Sequence, residues 1–456
     1  MSGNATKTEL KQLSHLAAPL VIAQLAQTAL NTVDTIMAGQ LSAEALAAVA
    51  TGVNLFATLL LFILGVFLAL NPIISQHNGA RDNDAMAGTI QSGLWFALLI
   101  SVPVFFLWRE IDIVMDWLAV EPSIRPLAAE YVDALSWGTP FLWLFLALRF
   151  CNEGLFATRA VMVITISAVP LNVLFNWIFI YGKFGMPVLG AVGLAWATNL
   201  VWFLMFVSML VYTATAKRHA HLRAFLQWKK PDWTRIKDIA NTGGPMGLSF
   251  SLEVLMFAMI GLMMATYDAA TVGAHQIALN YASLTFMIPL GISNAITARV
   301  GYAVGERNPV AVRRAGWVGI AFAGSIATLS TLSMWLLPWQ ITAVYTPDLA
   351  VQTLAVGFLS MAAIFQLSDA MQVTAAGALR GLKDTRMPML ISLFSYWIIG
   401  FPTAWLLANY TSLGPTGYWA GMIAGLSTAA ALLNWRFKRL SGRWQPPARH
   451  ISNASV

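Results

Sequence analysis

Charge is scarce in this chain. Only 10% of its 456 residues are Asp, Glu, Lys or Arg, against 58% that are hydrophobic, and the mean hydropathy is +0.67. A soluble protein carries about 25% charged residues, so a water-exposed globule of this composition could not cover its surface. The natural solvent is a bilayer. Cysteine is nearly absent. Cys151 stands alone, which rules out a disulfide framework and a cysteine metal site. There is no His-Glu-x-x-His and no His cluster at metal spacing. The loop Gly-x-x-x-x-Gly-Lys-Ser/Thr is missing, and no soluble stretch could house a nucleotide-binding domain, which argues against ATP-driven pumping by this chain alone. Gly-x-Ser-x-Gly is missing as well, so an intramembrane hydrolase has no support. The chain reads as a protein without catalysis or cofactor.

What the chain has instead is long apolar runs. Twelve are long enough to cross a bilayer, with limits near 13–36, 46–71, 86–108, 127–150, 160–181, 190–214, 240–265, 272–298, 313–337, 350–378, 387–409 and 417–436. Backbone groups in hydrocarbon must bond within their own segment, so the runs are helices. Lys7 and Lys11 precede a run that leads straight to Asp34, without a short apolar core and cleavage site, so it reads as the first span.

The net charge of +7 does not point to nucleic acid, because the cations sit between spans. With the N-terminus in the cytoplasm, 23 of 27 Lys and Arg fall inside. Only Arg109, Arg125 and Lys183 fall outside, and Arg149 lies within a span. This bias orients a membrane protein with both termini cytoplasmic. Arg149 and Arg299 read as side chains snorkelling to the interface. His275 reads as a hydrogen-bonded structural histidine.

The densest basic stretch, Lys217 to Lys237, divides the chain. The expected domains are a six-helix bundle over 1–215, a basic linker over 216–239, a second six-helix bundle over 240–437 and a short cytoplasmic tail over 438–456. The halves repeat. A shift of 226 residues pairs Pro19 with Pro245, Met37 with Met263, Asn54 with Asn280, Gly65 with Gly291, Gly79 with Gly305 and Arg81 with Arg307. The two Gly-x-Arg motifs are expected in loops. An even number of spans per half sets the repeat axis along the membrane normal, as in transporters that rock one half against the other.

Three acids interrupt the spans: Asp34, Glu253 and Asp369. A charge at the bilayer centre costs about 2.5 kcal/mol or more and needs a partner or a task. Each acid could take up a proton, bind Na⁺ through oxygen, or pair with a cationic substrate. The alternative is a permanently protonated carboxyl, hydrogen-bonded between helices. Asn172 and Asn176 share a face of span five, and with Thr198 they could build a polar pocket around Asp34. Gln276, Asn280, Ser368 and Gln372 could support Glu253 and Asp369. Met, Phe and Trp could line a cavity for planar aromatic cations.

Three segments resemble the multidrug and toxic compound extrusion family: Val33-Asp-Thr-Ile-Met-Ala-Gly39, Ala274-His-Gln-Ile-Ala-Leu-Asn280 and Ala375-Ala-Gly-Ala-Leu-Arg-Gly381. The stretch Asn176 to Gly185 is similar to its NorM-type branch. The likeness runs from about Leu13 to Arg439. It implies an all-α membrane protein of two six-helix bundles forming a V around a central cavity in the bacterial cytoplasmic membrane. It also implies antiport of Na⁺ or H⁺ against cationic drugs such as fluoroquinolones and dyes, by a monomer embedded in lipid. The family's functional acids fall on Asp34, Glu253 and Asp369, and its first-bundle pocket on Asn172, Asn176 and Thr198. Some NorM-type members carry tyrosine where this chain has Phe365. A Na⁺ site of that composition therefore lacks its phenol oxygen here, with water or Gln366 as substitutes. A flippase for lipids or lipid-linked sugars would need a basic central cavity, whereas these spans carry acids. A passive channel would not move cargo uphill. A receptor would need a signalling domain that is not seen.

Overall fold

The structure, a computed structural model, describes residues 3–118 and 120–446; the part of the expected tail from Pro447 onward lies outside them. The described residues form helices and connecting turns, with no strand among them. The first half comprises α1 (Gly3–Leu41), α2 (Ala43–Leu68), α3 (Leu70–Ala80), α4 (Asn83–Arg109), α5 (Ile111–Trp117), α6 (Arg125–Ser136), α7 (Thr139–Gly154), α8 (Thr158–Tyr181) and α9 (Val192–Thr215). The second comprises α10 (Trp233–Met264), α11 (Ala269–Gly305), α12 (Pro309–Leu336), α13 (Pro338–Tyr345), α14 (Leu349–Gly381), α15 (Arg386–Leu393), α16 (Phe401–Tyr410) and α17 (Pro415–Arg443).

Among the described residues, nine helical segments are both long and apolar enough to cross a membrane, and α6 with α7 make a tenth, bent by 51°. Two more, α11 with 37 residues and α17 with 29, also have the length. Together these give the twelve expected spans.

The bends have local causes. Pro140 is the second residue of α7, two after Gly138, and a proline has no N–H to continue the α6 ladder. Pro402 sits at the start of α16, and the preceding turn, Phe394–Gly400, widens to a π-helix. The second span is longer than expected. Ala69 keeps right-handed helical angles, so α2 and α3 run on to Ala80 rather than ending near residue 71.

The repeat is written into the helix ends. Ser42 caps α2 and Asp268, 226 residues on, caps α11. Asp82 caps α4 and Asn308 caps α12, again at the same shift. Between them, Arg81 (φ 58°) and Arg307 (φ 57°) take left-handed angles. The expectation that both Gly-x-Arg motifs lie in loops is corrected. Gly79 and Gly305 stand in the last helical turns, and only the arginines turn the chain.

Those glycines have no room for a side chain. A Cβ on Gly79 would lie 2.0 Å from the Tyr302 carbonyl oxygen, and one on Gly305 would lie 2.0 Å from that of Gln76. Residues 76 and 302 are themselves related by the 226-residue shift. Deeper in, Gly65 meets the backbone of Gly247, and Gly291 meets that of Val21. Residues 21 and 247 are related by the same shift, so the halves meet across a pseudo-twofold seam, each presenting the same glycines to the other.

The seam closes one side only. Leu13, Leu16, Ala17 and Leu20 of α1 are buried in one cluster with Ile292, Ile296 and Val300 of α11, on the side that carries Lys7 and the basic linker. On the opposite side, the buried cluster around Met256, Ile260, Phe365 and Trp419 contains no residue of the first half.

The linker is anchored rather than free. His219 is 2% exposed, with its ring edge-on to Tyr212 at 5.5 Å. Burial first, then the neighbouring cations Arg218 and His221, holds its imidazole down at about 4. The folded value lies below the ordinary 6.5, so the unfolded segment takes up the proton first. Stability from this contact is therefore complete above about pH 6.5 and falls as pH drops towards 4. Amide exchange over Lys217–Leu226 should accelerate by up to about tenfold per pH unit across that window, after correction for intrinsic exchange. In His219→Phe the pH dependence should disappear; its persistence would refute this origin.

Candidate functional site

The two halves each bury an acidic site, and a cavity lies between them. In the first half, Asp34 on α1 is gripped from two helices. Asn176 of α8 donates through Nδ2 to Asp34 Oδ1 at 2.7 Å, and Thr198 of α9 donates to Oδ2 at 3.2 Å. Asn176 also donates to Asn172 Oδ1 at 3.1 Å, one turn back on the same face. The structure thus brings Asn172, Asn176, Thr198 and Asp34 together as the sequence suggests. Asn176 Oδ1 remains buried without a partner. Tyr131 of α6, buried close enough to feel the Asp34 charge, was not foreseen.

In the second half, Glu253 of α10 and Asp369 of α14 lie near enough for their charges to interact. Asp369 is 4% exposed, and its Oδ1 has no hydrogen-bond partner. Gln372, one turn along α14, borders a cavity of about 30 Å³ together with Glu253, Arg380 and Ser392. That is room for about one water molecule.

The other expected supports lie elsewhere. Gln276 and Asn280 are on an exposed face of α11, and Asn280 accepts from Tyr345 at 3.0 Å. Their spacing of four puts both on one side of the helix, and no hydrogen bond among those described joins that side to the acids. Ser368 pairs with Ser427 of α17 at 2.8 Å. Phe365 is packing, with its ring against Phe257 and Trp419. Gln366 is fully buried with neither amide atom bonded.

Three further corrections concern single residues. Arg149 does not snorkel. It is 4% exposed and donates to Glu153 at 3.0 Å and to Gln24 of α1 at 2.5 Å. Glu153, fully buried, also accepts from Asn71 at 3.3 Å. Arg299 is clamped by both oxygens of Glu9, at 2.9 and 3.0 Å. His275 is fully buried against Phe358 and Trp419, and neither ring nitrogen has a hydrogen-bond partner.

Arg380 is the second buried arginine that the sequence reading passed over as a site residue. It is 5% exposed, donates to Ser293 Oγ at 2.7 Å, and feels the Glu253 charge. The signal was present: Ala-Leu-Arg occurs at 147–149 and again at 378–380, in the fourth span of each half. Tyr396, fully buried, completes the neighbourhood of Glu253.

Between the halves lies a cavity of about 420 Å³. Leu, Phe and Trp side chains form most of its wall, and its polar points include Gln24, Asn31, Arg149, Glu253 and Asn294. This is the size and lining of a site for a drug-sized molecule. Glu253 and Phe250 border both this cavity and the small one behind it, and Glu253 is the titratable group they share. Among the described residues no three His, Cys, Asp or Glu are grouped to hold a metal ion.

Comparison with known proteins agrees with this architecture. The MatE family model matches the chain twice, over residues 19–178 and 245–406, starting points that differ by the repeat shift. The chain is 38% identical over 443 residues to a probable multidrug resistance protein NorM of Idiomarina loihiensis, covering 96% of each. It is 39% identical over 447 residues to the multidrug resistance protein PmpM of Pseudomonas aeruginosa, covering 97% of this chain and 94% of that one. Its fold matches an outward-facing multidrug resistance MATE family transporter of the MOP superfamily with a TM-score of 0.86, at 23% identity, covering 95% of this chain and 96% of that one. It matches the eukaryotic MATE transporter AtDTX14 with the same TM-score, 0.86, at 19% identity, over 96% and 98%.

Proposed function

The chain belongs to the MatE family, and from that premise we propose that it exports cationic, partly apolar drugs across the bacterial cytoplasmic membrane by antiport against protons. One observation carries the reading: a drug-sized, largely apolar cavity between two halves has Glu253 on its wall. A second acid, Asp34, is held in a polar pocket of the first half. A single chain supplies both halves, so one copy is the transport unit.

The basic side is cytoplasmic, and the arrangement described here is closed on that side. Cargo enters when the seam is open to the cytoplasm and leaves when it is shut. A bound cation can shift that equilibrium only through its different affinity for the two arrangements. A drug cation near Glu253 gains from the carboxylate charge in a low-dielectric site. A proton arriving from outside neutralises Glu253 or Asp369 and removes that attraction, so the drug is released outward. Asp34 takes a second proton, which breaks its present pattern of accepting from Asn176 and Thr198 and repacks the first half.

The proton is favoured over Na⁺ by the surroundings of each acid. A proton needs only one carboxylate oxygen, whereas Na⁺ needs a shell of oxygen ligands, and Arg380 beside Glu253 brings N–H donors rather than oxygens. Phe365 supplies no oxygen. Around Asp34, the amide and hydroxyl present hydrogens, not lone pairs, to the carboxylate.

Purified protein in proteoliposomes tests the assignment with ethidium as cargo. An imposed pH gradient, with Na⁺ equal on both sides, should drive uphill export. An Na⁺ gradient at clamped pH should not. Export under Na⁺ alone would overturn the proton assignment, and export under neither, with protein correctly inserted, would overturn antiport.

A further inference from the structure

The start of α1 carries a basic stripe that the transport reading leaves unused. Lys7, Lys11, His15 and Ala18 follow one another at about one turn, so they share a face of the helix. All four are exposed. That face borders a groove of about 1170 Å³, whose other wall carries Arg159 at the start of α8. Arg159 Nη2 donates to His15 Nε2 at 3.2 Å, which ties Arg159 to the helix face that carries Lys7 and Lys11. None of Lys7, Lys11 and Arg159 has an ion-pair partner among the described residues; the nearby Glu9 is 4% exposed and taken up by Arg299. Gln12 and Ser14 also border the groove, and Leu10, Leu16, Ala18, Pro19 and Phe156 form its apolar part.

Uncompensated cations above an apolar channel match one chemistry: an anionic headgroup joined to a hydrocarbon chain. We propose that this groove binds an acidic phospholipid of the cytoplasmic leaflet, its phosphate between Lys7, Lys11 and Arg159 and an acyl chain along Leu10, Ala18 and Phe156. The membrane side rests on the orientation given above; the groove and its charges do not. Basic pockets on the cytoplasmic side of membrane helices suit such headgroups. Arg299, from the other half, also lines the groove and is stacked near Phe156 and Tyr302. The lipid therefore sits beside the seam between the halves.

The test uses the full chain in nanodiscs of phosphatidylcholine, with or without a minor fraction of phosphatidylglycerol. Native mass spectrometry should find phosphatidylglycerol retained on the protein. Each basic group near an anionic lipid contributes about fivefold in affinity, so Lys7→Gln, Lys11→Gln and Arg159→Gln combined should weaken retention by at least about tenfold. A second variant, Ala18→Trp, fills the apolar channel without touching charge and should also reduce retention. The control Arg223→Gln, Lys229→Gln and Lys230→Gln removes equal charge from the linker and should retain the lipid. Equal loss in that control would overturn the site in favour of general surface attraction. Occupation by inorganic phosphate alone in phosphatidylcholine, with no preference for the lipid, would overturn the acyl channel. The retention readout involves no transport, so it stands or falls apart from the antiport assignment.

Discussion

Asp34→Asn is expected to abolish proton-driven ethidium export while the protein still folds and reaches the membrane. The substitution keeps size and shape but removes the titrating group. It also disturbs the pocket. Asp34 now accepts from Asn176 at 2.7 Å and from Thr198 at 3.2 Å. An asparagine offers one acceptor, and its amide must meet a donor. A hydrogen bond to a charged group contributes about 1.5–3 kcal/mol, so the loss of one alone changes an affinity by roughly 10- to 150-fold. Initial export rates under an imposed pH gradient measure the effect, with downhill ethidium exchange at equal pH as the control for an intact cavity. Thr198→Ala removes the longer bond only and should cost less, about tenfold or under. Wild-type uphill export by Asp34→Asn would place the coupling proton in the second half alone, on Glu253 and Asp369.

The contrast between the two acid sites explains what could be read from sequence. Twelve spans follow from apolar length, which the bilayer enforces directly. The pocket around Asp34 follows from helical spacing, because Asn172 and Asn176 lie one turn apart and nothing intervenes between them and α1. The second-half supports did not follow. Gln276 and Asn280 also lie one turn apart, but spacing fixes only that they share a face, not which neighbour that face meets. Arg149 was placed by its nearness to a span end. Its true position depends on Glu153, one turn on along the same helix, and on Gln24 of α1 and Asn71 of α3, which no local pattern links to it. A buried arginine in a membrane bundle requires such partners. The second occurrence of Ala-Leu-Arg in the other half was the trace that a structural constraint left in the sequence. The widened turn at Phe394–Gly400 had a trace too, in Pro402, but a proline permits a kink, a break or a π-turn without choosing among them.

Gly79→Ala and Gly305→Ala are expected to give the same phenotype as each other: a folded, membrane-inserted protein that cannot close the side at which the two halves meet. A Cβ at either position would stand 2.0 Å from a backbone oxygen of the opposite half. Backbone cannot step aside as a flexible side chain can, so the halves themselves must part. Overpacking in a well-packed interior costs about 1–3 kcal/mol. At 3 kcal/mol the ratio of closed to open arrangements falls by roughly a hundredfold. Folding survives because the first half keeps its own buried cluster and the outer part of the second half keeps another. The measurement is labelling of Asn31→Cys, whose parent side chain lines the central cavity. The native thiol is first removed by Cys151→Ser. In inside-out vesicles a membrane-impermeant maleimide should reach this site at least about tenfold faster in either glycine variant than in the parent, and ethidium export should fall in parallel. Gly261→Ala, where an added methyl would meet nothing within 4 Å, should behave as the parent. The equality of the two variants matters more than either loss. Only a seam that is used from both sides of the pseudo-twofold axis makes residues 226 apart interchangeable in effect. If Gly79→Ala alone were inactive, the repeat would be a relic of the fold; if both fail alike, the two halves move as equal partners about the glycines that the sequence repeats.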